Sequence, residues 1–452
     1  MNQSQPQLLL LSPQPFLFAL SLLLFSPHFA VTAAAAAATA SATSSPKPEI
    51  ATRQLPNGIE AVVVRFPQST NVSIYTFSPM SLATDAPHQA QWAHLVEHMV
   101  IRSTVPEFAR FANAETLWDH MRLDFYGNTG NWQEGLAHHR QWLQPSMPFL
   151  QTNLDLEKPK VNQECDFTAR NFATHKFAIA AWNQGYRHGV TQVKIKGDVL
   201  RATLPEIQAL RDRRLVISNQ VAICVVGGLD PATALAEIEK YFAKIPTRPA
   251  PDLRAKPKSG NLDLTWDMNA NHLLLTWPIP GFREADHAPL LIAAQLLNQA
   301  LATDSQLPKQ AGALFAGADL VVPEGTFFYV SASLRPGTKS DDIKKLLLER
   351  VTRFPTDAMP AMQTPFVAQF LSRQLIEVPS LDEIKSQVPR DTDMAMMEGN
   401  LGLRFGMSEY RYGAYRKTLS GQISEVKGPD VQRVARKYLS PEKASSCAIR
   451  AE

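Results

Sequence analysis

Two stretches, Asn71–Phe77 (NVSIYTF) and Asn271–Trp277 (NHLLLTW), stand 200 positions apart and decide the architecture. Each is a short run of β-branched, aromatic or aliphatic residues that ends in a Pro-containing loop, which reads as a buried strand. After each loop comes a helical stretch, His88–Ser103 in the first copy and His287–Leu301 in the second. The same offset pairs Thr76 with Thr276 and Ala93 with Ala293. A period this long is that of a whole domain, because solenoid repeats recur every ~20–50 residues.

Working outward, Leu55-Pro56-Asn57-Gly58 is a turn signal that leads into a strand at Ile59–Arg65. Leu215–Gly228 reads as a strand and Pro231–Phe242 as an amphipathic helix. Pro246–Gly260 is rich in Pro, Lys and Arg and reads as a linker. The expected fold is therefore α+β, with two similar domains, each an antiparallel-rich sheet with helices packed on it. The expected boundaries are 51–248 for the first domain, 249–260 for the linker and 261–452 for the second.

The first 46 residues hold no charged side chain, and Phe16–Phe25 (FLFALSLLLF) is an apolar run of signal-peptide length. It is too short for a permanent membrane span. Val31-Thr32-Ala33 fits a signal-peptidase cut, so residues 1–33 are expected to be a signal peptide and 34–50 an Ala/Ser/Thr-rich tether. Export to a periplasm or the cell exterior follows, without stable membrane insertion. A formal net charge of +3 on 452 residues gives no reason to expect nucleic acid as a partner. The three cysteines, Cys165, Cys224 and Cys447, are far apart and read as isolated buried thiols.

The chemistry sits on the first helix, at His94-Leu95-Val96-Glu97-His98. Residues four apart lie one turn above each other, so both imidazoles face the same way, with the Glu97 carboxylate beside them. Two imidazoles from one turn make half of a zinc shell. A carboxylate at its open face can take a proton from a water whose pKa the metal lowers to about 7. In the second copy these positions are Ala294, Leu297 and Asn298, so only one half carries the ionisable set. His138-His139 are adjacent, diverge on a helix and read as a surface pair.

Ala93–Met99 (AHLVEHM) resembles the signature of the pitrilysin/insulinase family of metallopeptidases, the inverted zinc motif H-x-x-E-H. The resemblance implies a fold like that of the mitochondrial processing peptidase, with one Zn²⁺ per chain. It makes His94 and His98 metal ligands and Glu97 the general base. The family's third ligand, a glutamate on a later helix with a second glutamate seven residues before it, matches Glu164 and Glu157 within Leu156–Cys165 (LEKPKVNQEC). Glu157 would then be a catalytic, outer carboxylate. Pro159 places the start of that helix near Glu157 or later.

Two departures stand out. The family's Asn-Ala-x-Thr strand, which binds the substrate backbone by strand addition, is matched here with Gly127–Trp132 (GNTGNW), through Asn128 or Asn131. The family's second-half Arg and Tyr, seven apart around a Gly, fall on Pro308 and Phe315 within Leu307–Phe315 (LPKQAGALF). Taken with the leader-like amino terminus, the resemblance implies an exported zinc endopeptidase acting on peptides or unfolded segments. A similar two-domain subunit is expected to supply the Arg/Tyr pair, with a homodimer as the other arrangement. The alternative is a metal-retaining but catalytically weak scaffold or binding subunit of a heteromeric peptidase complex.

Overall fold

The repeat at Asn71 and Asn271 becomes two sheets with one strand order. In the computed structural model the described residues are 46–103, 112–117, 119–145, 147–171, 198–249, 260–266, 270–318, 326–385, 388–389 and 392–451. The signal-peptide reading and most of the linker reading fall outside them. The first sheet is built from β1 (Glu49–Gln54), β2 (Glu60–Arg65), β3 (Asn71–Ser78), β4 (Ala112–Thr116), β5 (Met121–Asn128) and β6 (Ala222–Gly227). Their spatial order is β1-β2-β6-β3-β5-β4. The second sheet takes β7 (Asn261–Trp266), β8 (His272–Ile279), β9 (Ala311–Gly317), β10 (Thr326–Leu334) and β11 (Ser445–Ala451) in the order β7-β11-β8-β10-β9. Apart from β1, the two orders superimpose. Both repeat strands sit at interior positions, and β4 and β9 are the corresponding edge strands of the two sheets.

Pairing is mostly antiparallel, with β2–β6 and β7–β11 the parallel exceptions. Strand β6 begins at Ala222, later than the sequence suggests. Leu215 still belongs to a helix end, and Asn219 takes a left-handed turn before the strand. The turn at Leu55–Gly58 is as expected, with Gly58 at φ +85°, a conformation that costs glycine little.

Helices α1 (Trp92–Arg102), α2 (Trp132–Leu143), α3 (Gln151–Asn171), α4 (Leu204–Arg214) and α5 (Pro231–Phe242) belong to the first half. One face of the first sheet, with Val63, Ile74, Leu123 and Phe125, joins Leu95, Val96, Leu136 and Ile238 from these helices in one buried cluster. The second sheet does the same with α6 (His287–Ala302), α7 (Ser340–Arg353), α8 (Ala358–Ile376), α10 (Tyr415–Glu425) and α11 (Gly428–Tyr438). Between α8 and α10 in sequence, α9 (Met394–Tyr412) crosses over to the first sheet. It packs on the face away from α1, against β6, β3 and β2. Gly402 allows this approach: a Cβ there would stand 2.3 Å from Val226 Cγ2. Residues 46–380 and 393–452 form one compact unit, and the short helix Leu381–Lys385 belongs to the other. Among the described residues no helix is long and apolar enough to cross a membrane.

Candidate metal centre

Helix α1 begins where the buried Asp85 carboxylate accepts the Ala93 N–H at 3.0 Å, satisfying a first-turn donor. Trp92, Ala93, Leu95, Val96, Met99 and Val100 are buried, which fixes the rotation of the helix about its axis. His94 and His98 then share one margin, with ring centroids 5.0 Å apart. Glu97 is turned further inward and is buried. Burying a carboxylate is costly unless it is hydrogen-bonded, and here Thr116 Oγ1 donates to Glu97 Oε2 at 2.6 Å. Donor atoms of His94, Glu97 and His98 lie within 4.8 Å of one another.

Helix α3 brings the remaining carboxylates. It spans Gln151–Asn171 and so begins earlier than Pro159 leads one to expect, with the proline inside it. The ring costs the helix one N–H donor, but Leu154, Val161 and Cys165 still bury one face and hold it in place. Glu157 lies on that face, is itself buried, and receives His98 Nδ1–H at 3.0 Å. Lys160 Nζ donates to its other oxygen at 2.9 Å. Burial opposes ionisation of Glu157, and the bonds from His98 and Lys160 override it, leaving its pKa lowered. An ionised Glu157 only accepts, so the Nδ1 of His98 carries the proton and Nε2 is left to face outward.

Both Nε2 atoms point at one oxygen of Glu164, His94 at 3.5 Å and His98 at 3.2 Å. Glu164 is half exposed, unlike Glu157. Burial works against its ionisation, yet hydrogen bonds from both histidines hold it well below the usual carboxylate range. Burial also disfavours a charged His98, but Glu157, Glu164 and Glu97 outweigh it and raise the imidazole to about 10. The spot thus favours positive charge. Two imidazole nitrogens and a carboxylate oxygen converging on one point suit a zinc ion. Glu164 suits the third position better than Glu97, whose Oε2 is engaged by Thr116. Cys165 turns its thiol to the far nitrogen of His94, with Sγ 3.8 Å from Nδ1, and stays off the ligand side.

Other residues lie elsewhere than their sequence positions suggest. Asn128 and Asn131 build the turn after β5: Asn131 Oδ1 accepts from Asn128 N, and Asn128 Oδ1 from Gly130 N. The strand beside the centre is β4, whose Asn113-Ala114-Glu115-Thr116 spells the Asn-Ala-x-Thr pattern outright. That literal match, 15 residues past His98, was the available signal. β4 forms the edge of the first sheet, paired to β5 alone among the described strands. His139 is a core residue and not half of a surface pair. It is fully buried beside Trp142, its Nδ1 lies 2.7 Å from Thr76 Oγ1, and burial lowers it to about 3.

In the second half, Ala294 and Leu297 are buried in the core. Asn298, at the place of His98, laces α6 to β9 by donating to Ala316 O at 2.7 Å and accepting from Ala316 N at 2.5 Å. A guanidinium does reach Pro308, from a different position: Arg335 Nε donates to the Pro308 carbonyl at 3.0 Å. Phe315 is part-exposed on the edge strand β9.

Residues 213–360 match the protein family described as "Peptidase M16 inactive domain". Among curated proteins, none matches the chain. Solved structures match over nearly its whole length. A protease from Helicobacter pylori is 15% identical, with 89% of this chain and 100% of that one covered and a TM-score of 0.66. A peptidase M16 inactive domain from Pseudomonas fluorescens is 14% identical, with coverage of 89% and 98% and a TM-score of 0.64. The first half of the periplasmic protease PqqL from Escherichia coli is 15% identical, with coverage of 91% and 94% and a TM-score of 0.59. At these identities the likeness establishes the fold, so the chain has the two-domain architecture of M16-like peptidases, and a third of it matches that group's inactive domain.

Proposed function

We propose that this chain is a zinc-dependent endopeptidase of the M16 type, acting on peptides held as an added strand on β4. The observation that carries it is the convergence of His94 and His98 Nε2 on Glu164, with Glu97 and β4 alongside. A bound zinc ion supplies Lewis-acid polarisation of the peptide carbonyl and acidification of a water. The residues do the rest. Glu157 orients His98 through Nδ1. Glu97 takes the proton of the attacking water and returns it to the leaving amine, and Thr116 holds that carboxylate in place through its hydroxyl. The exposed edge of β4 offers main-chain N–H and C=O groups to the substrate backbone.

A second reading, a metal-retaining but weakly active scaffold or binding subunit, is favoured by two observations. The matched family segment is an inactive domain, and Pro308 and Phe315 stand where the Arg and Tyr are expected. The comparisons speak for this reading more than for the first, and the geometry of the centre speaks for the first. Peptide cleavage by the purified, metal-loaded chain decides between them. Cleavage that a chelator abolishes, and that Glu97→Gln reduces roughly 10²- to 10⁴-fold with metal retained, is the expected result. Metal binding without cleavage leaves the scaffold. Export rests on the leader-like 1–33 and is read from the mature amino terminus by mass spectrometry, expected near Ala34; a retained Met1 overturns it.

A further inference from the structure

The far face of β4 carries a charge pattern that the metal centre does not use. Side chains alternate along a strand. Ala112 and Ala114 pack against the core and Thr116 reaches Glu97, so Asn113 and Glu115 face the other side of the sheet. There Glu115 is opposite Arg122 of β5, and Asn113 is opposite Asp124. Asp124 is fully buried and binds Arg122 with two bonds, Nε to Oδ1 at 2.7 Å and an Nη to Oδ2 at 3.0 Å. Tyr126 O–H also donates to Oδ2, at 3.0 Å. Burial pushes the Asp124 pKa up, with Arg122 and Tyr126 pulling it back. All three bonds to Asp124 are donated to it, which is the arrangement of an ionised carboxylate.

Arg122 is therefore already matched from within the sheet. Glu115 approaches the same guanidinium at 3.4 Å, its own side chain about a quarter exposed. The three groups sum to one negative charge, and it lies at the outer edge of the row. Beyond Glu115 there is no further described strand. On this basis, and resting on the strand-addition reading above, we propose that Glu115 selects peptides with a lysine or arginine at the position paired with it. That position adjoins the one beside Thr116, so the cationic residue falls within about two residues of the cleaved bond, on the face away from the metal. Cross-strand neighbours on one face stand about 4.5–5.5 Å apart at Cβ, close enough for a direct ion pair. The row then alternates in sign: peptide cation, Glu115, Arg122.

The test uses fluorescein-labelled apolar dodecapeptides carrying a single Lys, Leu or Glu scanned through the sequence. Binding to the full-length mature protein is read by anisotropy, and cleavage by mass spectrometry. Opposite-charge cross-strand pairs lead us to expect about three- to five-fold tighter binding of the best Lys peptide over its Leu counterpart, with Glu weakest. Glu115→Gln, nearly isosteric, abolishes the difference, and Glu115→Lys reverses it; unchanged thermal melting shows that both fold. Raised salt shrinks the preference in the unaltered protein. An equal Lys preference in Glu115→Gln, or no charge preference in the unaltered chain, overturns the inference and leaves strand addition standing. Failure to bind any peptide overturns strand addition and the inference with it.

Discussion

Glu157 and Glu164 sit seven residues apart on one helix and do different work. Glu164 is half exposed and meets the Nε2 atoms of both histidines, whereas Glu157 is buried and meets only one of them, at Nδ1 of His98, with Lys160 on its other oxygen. Removing a ligand takes away a bond to the metal; removing the group behind a ligand only frees its ring to turn. We therefore expect Glu157→Ala to weaken metal affinity by about 10- to 100-fold, and Glu164→Ala to lose considerably more. Competition with a chromophoric chelator measures both. Equal losses would show that the two carboxylates share one role. Seven residues are nearly two helical turns, so the spacing alone puts both glutamates on one face of a helix that includes them. Their division of labour was not legible there, because it depends on which side of His98 each one meets.

At the scale of elements, α9 is the unusual piece, a helix from the second sequence half laid over the first sheet. It brings Glu409, buried and paired to Arg416 at 2.5 Å, into the field of Glu60 on β2. Burial first, and the Glu409 charge second, raise Glu60 from 4.5 to about 7. The folded chain thus binds this proton more tightly than the unfolded chain does. Its contribution to stability is greatest below about 4.5, falls as pH rises through the window from 4.5 to about 7, and is lost above that. Glu60→Gln should consequently flatten this part of the stability profile and raise the melting temperature at pH 8 relative to the unaltered protein. Melting curves between pH 5 and 8 check it, and parallel profiles for the two proteins would refute it. The helix pattern of α9 is readable from sequence, but nothing local says which sheet it covers.

For the whole molecule, the asymmetry of the halves is the main fact. The first half has the ionisable set on α1, and the second fills the same helix positions with Ala294 and Leu297 and uses Asn298 to hold β9. A substrate's developing oxyanion still needs donors, and Pro308 and Phe315 offer no side-chain donor. We accordingly expect a similar two-domain chain to complete the peptidase by supplying an Arg and a Tyr. Co-purification from the native source followed by a peptide assay measures this: the complex should cleave faster than the isolated chain. Equal rates would make the partner dispensable, and a homodimer of full activity would replace it.

The sequence by itself determined the two-sheet repeat and the helix that carries His94, Glu97 and His98. These follow from periodicity and from spacing along single elements, which act over a few residues; the pair Glu157 and Glu164 came from the family resemblance. The sequence also contained Asn113-Ala114-Glu115-Thr116 in plain letters, although the stretch is too short and too rich in alanine to stand out as a strand. Only the tertiary structure decided that Pro159 lies inside a helix, because packing of Leu154, Val161 and Cys165 outweighs one lost backbone bond. It alone put His139 in the core, turned Cys165 toward His94 and set Thr116 against Glu97. Each of these pairs residues from different elements, where burial and hydrogen bonding across the fold, and not local propensity, fix the partner.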